Sequence, residues 1–199
     1  MKTRSSTNIK KLTYLAVMTA MVIILQLLGS ALIRLGLFSV SLVLIPIVMG
    51  AVVGGPLAGM WLGLVFGFTV LISGDAAFFM GFDVFGTIVT VLVKGALCGL
   101  CAGLVFNLLD KVNRYLAVVV SAVVCPVVNT GVFVLGVFTF FMDDIGALAA
   151  NSGMNTFAYI FLVLIGGNFI FELIVNIVLC PVVTRLLSIR VLGNIKDNK

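Results

Sequence analysis

Asn168, Glu172 and Asn176 recur at intervals of four inside the last apolar run of the chain, Phe157 to Leu187. Four residues is about one helical turn, so the three side chains stack on one stripe of one helix. If that helix crosses a bilayer, Glu172 lies roughly 16 residues from its outer end, where a polar stripe must face protein, water or a ligand. Lys94, in the middle of the apolar run Val84 to Leu109, is the candidate opposite charge at the same depth. Two chemistries are open to such a pair. The charges neutralise each other as a structural bridge, or they clasp a polar solute through charge-assisted hydrogen bonds.

Three further positions bear on that chemistry. Asn129 follows Pro126 halfway along Tyr115 to Phe141 and is a hydrogen-bonding group inside an apolar run. Arg34 stands near the far end of the first run, where it either snorkels to the interface or meets an anionic ligand. Cys98 and Cys101 form a CxxC, but they lie in an apolar run and the chain has no histidine, so the four cysteines read as small packing residues rather than metal ligands.

The elements that position these residues follow from composition and charge. The chain of 199 residues is 62% hydrophobic and 10% charged, with a mean hydropathy of +1.34. A soluble domain is nearer 45–50% apolar and about 25% charged, so this is an integral membrane protein. No stretch is polar enough for a separate soluble module, and residues 1–199 read as one membrane domain. The net charge of +5 does not imply nucleic acid, because the basic residues flank apolar runs instead of clustering on one face.

Val40 to Ile72 is too long for one span, about 50 Å of helix against a hydrocarbon core of about 30 Å. Gly54-Gly55-Pro56 therefore reads as a turn between two short spans. The expectation is an all-α polytopic protein of six transmembrane helices, at approximately 12–35, 40–53, 57–72, 84–109, 115–141 and 157–187. With six, both termini and the Lys111 connector share one side, which holds ten of the twelve basic residues. The positive-inside rule makes that side cytoplasmic. Pro46 is expected to kink the second span. Ser73 to Asp83 and Met142 to Thr156 read as outer connectors, the first an aromatic loop that could cover a site. Gly55, Gly59, Gly63 and Gly67, and later Gly95, Gly99 and Gly103, form close-packing edges, and Ala16 and Ala20 form a small-xxx-small pair on the first helix.

Several activities are excluded. Without histidine there is no HExxH zinc protease and no histidine general base, and no Walker A sequence is present for ATP hydrolysis. No paired aspartates lie within a span. Six short helices with a polar pocket toward the outside suggest a small binding or transport protein without a cofactor.

The order of motifs resembles the substrate-binding S components of energy-coupling factor (ECF) vitamin transporters over nearly the whole chain. The resemblance is carried by Leu15-Ala16-Val17-Met18-Thr19-Ala20, Ile45-Pro46-Ile47-Val48-Met49-Gly50-Ala51, Gly55-Pro56-Leu57-Ala58-Gly59, Gly63-Leu64-Val65-Phe66-Gly67, Lys94-Gly95, Val127-Val128-Asn129-Thr130 and Asn168-Phe169-Ile170-Phe171-Glu172. It implies a protein of the bacterial plasma membrane that binds a water-soluble vitamin from outside. It also implies three partners, a transmembrane coupling protein and two ABC ATPases, with Ala16 and Ala20 on the surface that meets the coupling protein. The pattern is most similar to the riboflavin and pantothenate branch. Pantothenate is the best single guess, its carboxylate at Lys94 or Arg34 and its amide and hydroxyls at Asn129 and Asn168, with Glu172 near the same site. The alternative is a stand-alone secondary carrier or channel built on the Lys94 and Glu172 charges, although no inverted repeat is evident.

Overall fold

The computed structural model describes residues 2–34 and 42–187. The side chains of Arg34 and Asn168, and the basic residues beyond Leu187, lie outside the described residues. Among the described residues every regular element is helical. In chain order they are α1 (Lys2–Arg34), α2 (Leu44–Gly54), α3 (Pro56–Ser73), α4 (Ala77–Met80), α5 (Val84–Leu109), α6 (Arg114–Phe140), α7 (Met142–Asn151), α8 (Thr156–Ala158), a π-helical segment Tyr159–Gly166, and α9 (Gly167–Leu187). Five stretches are long and apolar enough to cross a membrane: Lys11–Ala31, Pro56–Ser73, Val84–Leu109, Arg114–Phe140 and Thr156–Pro181. α2 is a sixth, shorter apolar helix.

α2 is the pillar of the fold. Its sequence is apolar all round, and a helix of that kind belongs inside. Leu44, Ile47, Val48, Met49 and Ala51 are all buried, and α2 packs on α1, α3, α5, α6 and α9. Gly55 then turns the chain with a φ of 90°, a backbone that glycine adopts without steric cost, and Pro56 opens α3 at a position where its missing N–H is not needed. The expected turn at Gly54-Gly55-Pro56 is thus present. The expected kink at Pro46 is not. Pro46 falls in the first turn of α2, where the backbone N–H groups lack intrahelical partners, so it starts the helix instead of bending one.

The glycine edges of α3 and α5 face each other. A Cβ built on Gly63 would collide with the carbonyl of Gly95, and one on Gly59 with the carbonyl of Gly99; the reverse substitutions collide as well. Lipid is as apolar as leucine, so helices in a membrane associate through close packing, and this backbone contact supplies it. α1 is held more lightly. Trp61 Nε1 donates to Thr19 Oγ1 at 3.3 Å and the Tyr14 hydroxyl to the Met49 carbonyl at 3.4 Å. Such interhelical bonds contribute on average about 0.6 kcal/mol. Only 17% of the α1 span is buried, against 44% for α3, and Ala16 and Ala20 lie on its exposed side.

The connectors are more ordered than simple loops. α4 lies within the stretch expected as an aromatic loop, and α7 takes up most of the stretch expected as a polar one. Asp83 accepts from the Phe85 amide at 3.0 Å, Asn113 from Tyr115 and Leu116, and Asn155 from Phe157. Each carboxylate or amide takes up orphan donors at the start of the next helix.

Candidate functional site

A cavity of about 240 Å³ opens among α1, α3, α5, α6 and the last helix, at the end of the bundle where α3 stops and α5 begins. Lys94, Asn129 and Glu172 all line it, each from a different helix. Of the five expected binding residues, the structure therefore brings three together, and the other two, Arg34 and Asn168, lie outside the described side chains.

Lys94 owes its direction to the residue beside it. Gly95 faces α3, and 100° per residue turns Lys94 away from that seam into the cavity. Among the described residues its ammonium has two aromatic faces close by, Phe133 with its centroid at 5.3 Å and Phe66 at 5.9 Å. Such contacts are worth about 2 kcal/mol or more when desolvated, which offsets much of the roughly 2.5–3.5 kcal/mol of placing lysine in a membrane helix. Glu172 and, less strongly, Asp75 act on Lys94 electrostatically. Val43, the residue before α2, also lines the cavity, so the positive end of the α2 dipole opens on the same space.

Asn129 is buried, and its Oδ1 has no hydrogen-bond partner among the described residues. An unmet buried acceptor costs about 1–3 kcal/mol, so a cavity-lining amide in this state is poised for a donor. The stripe Asn168, Glu172, Asn176 divides in use. Asn176 turns back on its own helix, donating from Nδ2 to the Glu172 carbonyl at 2.8 Å and accepting from Cys180 Sγ at 3.6 Å. Glu172 is the member whose side chain is described at the cavity.

Asp75, in the connector from Ser73 to Asp83, stands in the cavity wall. Gln26 Nε2 and Ser30 Oγ, one turn apart on α1, both donate to its Oδ2. Gln26 and Ser30 are buried, and Gln26 lines the cavity as well. Two polar residues at i and i+4 on a membrane-length helix were the available signal. Phe79, in α4, closes the same end and meets Phe133 and Phe141 edge-on, each at 5.3 Å between centroids. The cysteines play another part. Cys98, Cys125 and Cys180 are buried, Cys98 donates to the Gly95 carbonyl at 3.1 Å, and no group of metal-ligating residues is found among the described residues.

Membrane helices around a cavity, with charge and hydrogen-bonding groups converging from separate spans, define a solute-binding membrane protein. The chain belongs to the substrate-specific components of ECF transporters, whose family model matches residues 10–184. It is thus a membrane component that binds the substrate of a transporter, and not an enzyme. No curated protein and no solved structure matches it.

Proposed function

We propose that the cavity binds a water-soluble vitamin or related micronutrient for uptake into a bacterial cell, with pantothenate as the first compound to try. The observation that carries this reading is the convergence of Lys94, Asn129 and Glu172 on one cavity. An acid end is favoured by the Lys94 ammonium together with the start of α2, and the amide and hydroxyls of pantothenate suit Asn129. Arg34 and Asn168 belong to the same proposed set.

Energy comes from partners, an ECF transmembrane coupling protein and two ABC ATPases, since this chain has no Walker A sequence. The lightly held α1, with Ala16 and Ala20 exposed, is the surface proposed for the coupling protein. The proposed topology is one domain of six spans in the plasma membrane with both ends in the cytoplasm. It is supported by Lys111 and Arg114, which lie at the end of the bundle opposite the cavity and on the cytoplasmic side by the positive-inside rule.

Two measurements test this. Mass spectrometry of small molecules released by denaturing gently purified protein is expected to find one vitamin-like solute in stoichiometric amount; an empty protein that also fails to bind pantothenate counts against it. Capture of an ECF coupling protein by the intact chain is expected, and to be lost with Ala16→Trp plus Ala20→Trp. Unchanged assembly rejects that surface.

A further inference from the structure

We propose that Asp75 is a solute-binding residue, taking hydroxyl or N–H donors of a solute whose acidic end lies at Lys94. This rests on the solute-binding reading of the same cavity and adds its second polar pole. Asp75 Oδ2 is held by Gln26 and Ser30, and no described residue donates to its Oδ1. A carboxylate fixed through one oxygen, with the other open at a cavity wall, is a preorganised acceptor. The buried Oδ1 of Asn129 is a second acceptor without a partner in the same wall. The ammonium of Lys94 is a donor, placed about ten residues, or about 15 Å of helix, along α5 from its first turn. Asp75 comes from the connector ahead of that turn.

The lining therefore has two polar levels, Lys94, Asn129 and Glu172 near mid-span and Asp75 at the connector, and its described ionisable groups are two carboxylates and one ammonium. A simple carboxylic acid engages the Lys94 level alone and brings no donor to Asp75. A solute with an acid at one end and hydroxyl or N–H donors at the other satisfies both, with Phe66, Phe79 and Phe133 along its body. Gln26 and Ser30 are positioning residues that aim the Asp75 carboxylate.

Isothermal titration of the full chain in detergent with three probes of one shape tests this: 4-methylbenzoate, 4-(hydroxymethyl)benzoate and 4-(aminomethyl)benzoate. The two donor-bearing probes are expected to bind at least about tenfold tighter than 4-methylbenzoate. Asp75→Asn is expected to remove most of the advantage of the amine and leave 4-methylbenzoate unchanged. Equal affinity for all three probes, binding of none, or a donor preference that survives Asp75→Asn overturns the proposal. Capture of the coupling protein, which does not involve Asp75, separates this failure from failure of the transport reading.

Discussion

Gly63 and Gly95 meet backbone to backbone, so that a methyl group on either would occupy the space of the other's carbonyl oxygen. That contact fixes the rotation of α5 about its axis, and with it the direction of Lys94. The glycine seam is thus part of the site although it touches no solute.

The seam gives the first prediction. Gly95→Ala forces α3 and α5 apart and is expected to cost about 1–3 kcal/mol, as overpacking does. Gly131, on α6, has open space where its Cβ would be, so Gly131→Ala is expected to stabilise by about 0.5–1 kcal/mol through helix propensity. Thermal melts of the two variants in detergent should move in opposite directions. Parallel shifts would mean that the close approach contributes nothing.

Lys94→Ala is expected to weaken binding of the released solute at least tenfold, about 1.4 kcal/mol. The melting temperature of the empty protein should fall as well, because the buried Glu172 carboxylate loses the cation that shares its cavity. Titration and melting of the same preparation check both. A large drop in the melting temperature with unaltered affinity would make Lys94 a structural residue.

Asn129→Leu should separate stability from function. Replacing an unmet buried acceptor by an apolar side chain of similar size relieves a penalty of about 1–3 kcal/mol and stabilises the empty protein, while binding weakens. A variant that is both less stable and equally tight in binding would contradict this.

Much of this was legible in the sequence for a physical reason. In a membrane protein a charge or a glycine repeat stands out against hydrocarbon, and so Lys94, Glu172, the α3 and α5 glycines and the turn at Gly55 could all be read. What escaped was phase. Nothing in Tyr159–Gly166 but apolar residues marks which way it faces, and there the helix widens to π geometry, so that Ile160 and Ile165, five apart, are both buried before the inward stripe resumes at shorter intervals. Asp75 escaped because an acid in a connector looks solvated until a neighbour reaches it. Its neighbours, Gln26 and Ser30, lie some 45 residues or more away in sequence. The kink expected at Pro46 is absent because α2 starts only at Leu44, and a proline bends a helix only beyond its first turn.

The shortness of α2 also governs how the protein is made. Eleven residues give about 16 Å of helix, roughly half of what the hydrocarbon requires. During synthesis α2 is therefore expected to enter as the first arm of a hairpin with α3, to be enclosed as later helices arrive. A glycosylation-tagged fragment ending at Gly55 should fail to insert its last segment, and one ending at Ser73 should insert both arms. The helix at the centre of the finished protein is then the one whose place the ribosome alone does not secure.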